Sequence, residues 1–204
     1  MFDVLIIGGG VSGISCALIL GSAINKPFVA DKKIGIFTHQ KSSNLQEALF
    51  NNAYGIPAGT LGSTLLKESK DQLHELYPHV LQIENEKVLK IEGASGNFTI
   101  ITNRNSYFTK AIVVAVNSSQ TFAIEGLMHF VVPHKKAIPE KNRIQLENND
   151  HLVTEGIYVA GTLAGCRSQL SIAAGSGASV ATDILTLWNN GTHTQIHDSI
   201  KQKF

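Results

Sequence analysis

The sequence predicts an α/β fold: a central parallel sheet, helices packed on it, and an antiparallel β-meander. Three observations carry this. Val4-Leu5-Ile6-Ile7 is a continuous apolar run, too short for a helix and β-branched enough for a strand buried on both faces. Gly8-Gly9-Gly10-Val11-Ser12-Gly13 breaks that run and opens a segment in which Ile14, Ala17, Leu18 and Ile19 recur at helical spacing. Ala111-Ile112-Val113-Val114-Ala115-Val116 is the most strand-like hexamer in the chain and, apolar throughout, belongs in the centre of a sheet.

The elements follow in order. The first helix runs from Ser12 to about Leu20, where Gly21 and Ser22 supply a stop. Pro27-Phe28-Val29-Ala30 reads as the second strand, leading into Asp31. Residues 38 to 62 are polar loops ending in the glycine-marked stretch Tyr54 to Gly62, which suits no regular element. A helix from Ser63 to about Leu76 buries Leu65, Leu66, Leu73 and Leu76. The meander comes next, as His79 to Glu84, Lys87 to Glu92 and Phe98 to Thr102, with Gly93-Ala94-Ser95-Gly96 as a hairpin turn. Residues 133 to 156 are loop-rich, with Pro133 and Pro139 as breakers. Ile157-Tyr158-Val159-Ala160 is a further buried strand ended by Gly161, and the closing helix runs from about Ser171 to Trp188. Residues 1–190 thus read as a single domain in two sequence halves, about 1–120 and 150–190, with 191–204 as a polar tail.

Composition narrows the function classes. With 43% hydrophobic and 16% charged residues, the 204-residue chain can bury a core of one or two domains. Seventeen Lys and Arg against sixteen Asp and Glu leave a net charge of +1, which argues against a polyanion partner or binding to a membrane surface. The two cysteines, Cys16 and Cys166, give neither a disulfide framework nor a Cys-X-X-Cys pair, and a reducing, cytoplasmic compartment fits best. The segment Val4 to Leu20 lacks the positive flank of a signal peptide and carries four glycines, so it reads as folded protein. No apolar run free of glycine and charge reaches the roughly 18 residues of a spanning helix. Cys16 reads as a core filler, and His193 and His197 lack a third metal ligand, so no metal site is expected. The sequence offers no evident catalytic acid, base or nucleophile.

The glycine segment satisfies Gly-X-Gly-X-X-Gly between a strand and a helix, and Asp31 is expected at the end of the next strand. Each glycine has its own physical role. Gly8 makes the tight turn, Gly10 lets backbone approach a pyrophosphate, and Gly13 lets the helix pack close to the strand. The helix N-terminus, carrying about half a positive charge, then faces the phosphates. A carboxylate at Asp31 would accept hydrogen bonds from ribose hydroxyls and repel a 2′-phosphate. This pattern points to an adenine dinucleotide and leaves NAD and FAD both open. The segment Gly156 to Ala178 adds a strand end and a second helix N-terminus flanked by small residues, which suits either a flat ligand or plain helix packing.

Taken with Asn52 to Gly62, Ala111 to Val116 and Gly156 to Leu185, these motifs resemble a thioredoxin reductase-type flavoprotein of the wider pyridine nucleotide-disulfide oxidoreductase group. The resemblance implies a Rossmann-like FAD-binding domain made of two sequence parts, with FAD as cofactor. It implies that Gly8, Gly10, Ser12 and Gly13 hold the pyrophosphate, that Asp31 holds the adenosine ribose, and that Val88 presents its backbone to the adenine. Asn52, Gly161, Thr162, Gln169 and Ser171 would lie along the ribityl chain and isoalloxazine, and the neighbours Val11, Lys32 and Ala115 complete the candidate set.

The chain also departs from that group. Ala160-Gly161-Thr162 stands where the group has Ala-Gly-Asp, and Ala115-Val116-Asn117 where it has Ala-Thr-Gly. No second glycine motif lies between Asn117 and His151, where the group's nicotinamide domain belongs, and a doubly wound unit needs about 100 residues or more. The resulting expectation is a flavin domain with neither its own nicotinamide domain nor a redox disulfide. Its electron donor would be free NAD(P)H, a partner protein or a small thiol, and a homodimer is the assembly considered. The alternative is a non-catalytic FAD-binding redox sensor or assembly subunit, and a weaker third reading is an NAD-binding dehydrogenase.

Overall fold

The computed structural model describes residues 1–39 and 43–197. In chain order the elements are β1 (Val4–Ile7), α1 (Val11–Ser22), β2 (Ile34–Phe37), β3 (Leu49–Phe50), β4 (Thr60–Leu61), α2 (Gly62–Leu76) and β5 (Leu81–Ile83). There follow β6 (Val88–Ala94), β7 (Asn97–Thr102), β8 (Ser106–Thr109), β9 (Ile112–Val114), β10 (Val131–Pro133) and β11 (Ile144–Leu146). The last are β12 (Leu152–Thr154), β13 (Ile157–Val159) and α3 (Leu170–Trp188).

Six strands form the main sheet in the order β12-β13-β9-β1-β2-β5, parallel except for the edge strand β12. Strands from both sequence halves meet where β13 pairs with β9, Tyr158 opposite Val113. The apolar runs are continuous because both sheet faces are covered. Val4 and Ile6 of β1 pack among the helices, while Leu5 and Ile7 pack under the antiparallel β6-β7-β8 meander. The result is three layers: helices, parallel sheet, meander. α3 is long and apolar enough by length and composition to cross a membrane, but it carries Asp183 and packs Val180, Ala181, Ile184 and Leu185 into the helical layer.

Three expectations need correction. The second strand is Ile34–Phe37, not 27–30. Residues 23 to 32 instead wind through successive turns, with Lys26, Val29 and Lys32 N–H groups donating to Ala23, Lys26 and Val29 carbonyls, and Val29 is buried as a turn residue. Next, the segment after His79 forms β5, which pairs in parallel with β2. The meander is therefore completed by β8, which the polar Ser106 and Thr109 disguised. Finally, the tail is partly packed. Thr194 is buried, its Oγ1 accepts from Asn189 Nδ2 at 3.0 Å, and Ile196 lies against the helical layer. The remainder of the expected tail, 198–204, lies outside the described residues. Elsewhere the differences are small. α2 buries Leu66 and Leu73 but leaves Leu76 exposed, and the loop-rich stretch contains the β10–β11 hairpin.

Candidate functional site

The site lies at the C-terminal ends of β1 and β9, the neighbours from which the chain runs in opposite directions along the sheet. Such a switch point leaves a crevice outside the strand ends. Gly8 turns the chain there with φ +121°, and a Cβ on it would stand 2.5 Å from the Ala115 carbonyl oxygen, so only glycine fits between β1 and β9. Gly13 is held closer still, against the Gly8 carbonyl, seating the start of α1 on the loop. Gly10 is the opposite case. A Cβ there would meet nothing within 4 Å, because that position faces the open crevice.

Two helices open onto this space. Gly10 caps α1 and Gln169 caps α3, neither with a side-chain hydrogen bond and neither with an acidic residue in its first turn. Their leading N–H groups are therefore left for a ligand. The lack of a side chain at Gly177 lets the two helices press together, since a Cβ there would overlap the Ser12 carbonyl. The cavity between them, about 270 Å³, is lined by the glycine loop, by Ala115 to Asn117, and by Thr162, Ser168, Gln169 and Ala173, with Asn44, Leu45 and Phe50 closing the far side.

A second cavity of about 320 Å³ adjoins the first, sharing Gly8, His39, Val116 and Asn117, and continues past Glu86, Lys87, Val88 and Phe122. Glu86 anchors this end by accepting from Thr102 Oγ1 at 2.6 Å, Tyr107 Oη at 2.7 Å and Asn105 Nδ2 at 2.8 Å. Burial pushes its carboxyl up, but these three hydrogen bonds and the Arg104 charge outweigh burial and hold it below the usual carboxylate value.

Of the residues expected from sequence, Gly8, Gly10, Val11, Ser12, Ala115, Thr162 and Gln169 line the first cavity and Val88 lines the second. Gly13 and Gly161 are buried beneath the first, and Gly161 N–H donates to Ser176 Oγ at 2.8 Å. Asn52 and Ser171 are exposed and outside both linings, although Phe50, which ends β3 two residues before Asn52, reaches the cavity. Asp31 and Lys32 are misplaced. They precede β2 and so sit at the N-terminal end of the parallel sheet, away from the crevice. Lys32 serves there in packing and charge pairing, 3.6 Å from Asp3 and 5.5 Å from the Trp188 ring centre.

The residues that follow β2 are Thr38 and His39, and sequence reasoning missed both. Thr38 Oγ1 is buried with no hydrogen-bond partner among the described residues, directly after the strand end. His39 lines both cavities. The signal was the run Ile34 to Phe37, masked by Gly35 and by the lysines before it. Among the described residues, no group of three His, Cys, Asp or Glu side chains is placed to hold a metal. Cys16 is buried, which pushes its thiol up and keeps it protonated and inert, and Cys166 is half-buried behind the first cavity's Thr162 turn.

Comparison with solved structures identifies this arrangement. A thioredoxin reductase from Gloeobacter violaceus superposes with a TM-score of 0.73, covering 97% of this chain and 98% of that one at 14% identity. The fold is that of the thioredoxin reductases. In sequence, the chain is 28% identical over 161 residues to the ferredoxin-NADP reductase of Pediococcus pentosaceus, covering 76% of the chain and 47% of the relative. It is 25% identical over 194 residues to the ferredoxin-NADP reductase of Leuconostoc mesenteroides, covering 95% and 52%. The chain thus spans about half the length of the curated relatives it matches. No protein-family profile matches it.

Proposed function

We propose that the chain binds FAD along the two joined cavities and forms the flavin-carrying part of an oxidoreductase. One observation carries this reading: two uncapped helix N-termini converge on a single crevice at the switch point of a parallel sheet, and that crevice runs on into a second cavity against the meander. Together the cavities have the size expected for a large cofactor site. The fit is supported by the open space at Gly10, which leaves room for a phosphate, and by His39, which lines both cavities.

In this reading the first N–H groups of α1 bind the pyrophosphate, and His39 stands beside the ribose in place of the expected Asp31. Val88 and its neighbours enclose the adenine. The N-terminus of α3 faces the flat ring, where its partial positive charge stabilises negative charge. Bound FAD supplies the electron-transfer chemistry, and the protein supplies orientation, electrostatics and exclusion of water. The names of the relatives support an oxidoreductase over a non-catalytic sensor. The crossover from β9 to β12 holds the β10–β11 hairpin and no second doubly wound unit, which supports an electron donor from outside this stretch. The two free cysteines fit a cytoplasmic setting.

The test is a titration of purified protein with FAD, followed by flavin fluorescence and by absorbance near about 450 nm. Saturable binding at one FAD per chain is expected. Protein that neither copurifies with flavin nor takes it up defeats the proposal, and saturable NAD binding in its place would favour the dehydrogenase reading.

A further inference from the structure

The edge strand β12 is entered through a tight turn, Asn149 to Leu152, closed by reciprocal backbone hydrogen bonds of 2.9 Å between those two residues. Both central residues are left-handed, Asp150 at φ +46° and His151 at φ +72°. Such a turn favours glycine at its second central position, where a Cβ brings strain. His151 occupies that position, and its side chain is only 16% exposed. The ring finds no support within the turn itself. Its Nδ1 is buried with no hydrogen-bond partner among the described residues and lies 3.7 Å from the exposed Asp150 carboxylate.

The ring's partner is on α3. His151 Nε2 pairs with the buried Ser176 Oγ at 2.9 Å, and the same Oγ accepts from Gly161 N–H at 2.8 Å. Gly161 opens the turn Gly161–Ala164 that follows β13. A Cβ on Gly161 would stand 2.6 Å from Ser12 Oγ, so this turn is pressed on the start of α1. Asn148 grips the other end of the same turn: its Nδ2 donates to the Ala164 carbonyl at 3.3 Å, and its Oδ1 accepts from His151 N–H at 3.2 Å. Ser12 and Thr162 line the first cavity. Contacts therefore run unbroken from the turn before β12, through α3, to two residues of the cavity wall.

We propose that His151 is a positioning residue for the cofactor site: acting through Ser176, it fixes the Gly161–Ala164 turn against the N-terminus of α1. This role rests on the flavin reading for the identity of what the turn positions. Groups that contact a ligand hold it well only when a further layer of hydrogen bonds locks them in place. His151 itself lines neither cavity, so it reaches the ligand through the turn alone. Left-handed strain persists at a non-glycine residue where surrounding contacts over-determine it, and the contact that the imidazole supplies here is the one to Ser176. Glycine at position 151 would relieve the strain and lose that contact, which separates the needs of the turn from those of the site.

The experiment compares the full chain with His151→Gly, His151→Asn and Ser176→Ala by amide hydrogen exchange without FAD and by FAD affinity from flavin fluorescence. Glycine and asparagine both accept the left-handed turn, and asparagine, ending where the ring has Nδ1 and not Nε2, falls short of Ser176. Without FAD, the peptide holding Gly161 to Ala164 should exchange about tenfold faster or more in all three variants, because Gly161 N–H loses its acceptor or the ring that orients it. The two His151 variants should still melt within about 3 °C of wild type, since relief of strain offsets the lost hydrogen bond. FAD affinity should fall at least about tenfold in each variant. The double variant His151→Gly/Ser176→Ala should bind no more weakly than the worse single one, because both changes break one chain of contacts. Unchanged exchange would show that the tie does not exist. Faster exchange with FAD affinity within about twofold of wild type would confine His151 to the fold and overturn the positioning role. Additive losses in the double variant, or wild-type affinity in His151→Asn, would overturn it as well. Wild-type protein that takes up no FAD defeats the flavin reading, and with it what the turn positions, while exchange still decides the tie by itself.

Discussion

Gly8 and Gly10 are two positions apart in one motif, yet the structure assigns them opposite sensitivities, and exchanging each for a larger residue tests the site directly. Gly10 has φ −82° and ψ −172°, a conformation valine adopts readily, and its Cβ direction is open. Gly10→Val should cost only the poorer helix N-cap, about 1 kcal/mol, or roughly 2 to 4 °C in the melting temperature of a chain this size. Its isopropyl group would occupy the phosphate space, so FAD affinity should fall at least about 100-fold, equivalent to roughly 2.7 kcal/mol. Gly8→Ala places a Cβ at φ +121° and 2.5 Å from the Ala115 carbonyl oxygen. Backbone strain alone there is worth about 1 to 3 kcal/mol, so Gly8→Ala should melt well below Gly10→Val. Melting must be measured without FAD, because bound ligand raises the apparent stability. If Gly10→Val keeps wild-type FAD affinity, the pyrophosphate assignment is wrong. If Gly8→Ala is as stable as wild type, the close approach of β1 to β9 is wrong.

Thr38→Val removes a buried hydroxyl that has no partner among the described residues, so the FAD-free protein should be unchanged or stabilised by up to about 1 kcal/mol in thermal or urea melts; a clearly lower melting temperature would show that the hydroxyl is satisfied in the folded protein. The buried Asp3 carboxylate accepts from Lys33 N–H at 2.9 Å and from Lys110 Nζ at 2.9 Å. Burial pushes its carboxyl up, but these partners and Lys32 win and hold it below its ordinary value. A depressed carboxylate stabilises the fold above the unfolded value of about 3.9 and loses that contribution as pH falls through the lower folded value. Asp3→Asn should therefore be less stable than wild type near neutral pH, with the gap closing below about pH 4 in urea melts; a gap that widens in acid would contradict the sign. Iodoacetamide should modify Cys166 in the native protein and reach buried Cys16 only on unfolding, as peptide mass spectrometry would read. Equal native labelling of both would show that α1 is not packed as described.

Much of the site was legible because its chemistry is local in sequence. The unit Val4 to Gly13 contains a buried strand, the turn and the helix start, so periodicity and glycine placement are enough to find the phosphate end. Gly161 and Gln169 were legible for the same reason, being a strand end and a helix start within one short segment. The ribose end was not. Locating it depends on where β2 stops, and Ile34–Phe37 becomes a strand only by pairing with β1, Val4 opposite Ile34. Local apolar content favoured Pro27 to Ala30, which the chain uses for turns. β8 was missed on the same grounds, since its ladder to β7 gives order to a stretch whose composition reads as loop.

The sequence by itself determined the α/β class, the central strand β9, the glycine loop and the absence of a Cys-X-X-Cys pair, all of which are set by patterns within a few neighbouring residues. Only the tertiary structure decided that His39, not Asp31, lines the crevice and that α3 aims its N-terminus into the same space as α1. Those outcomes depend on parallel pairing and helix contact between segments far apart in the chain, such as Ser12 against Gly177. Parallel strands have no short turn to fix their register, so register, and with it the residue that ends each strand, is settled only when the sheet assembles.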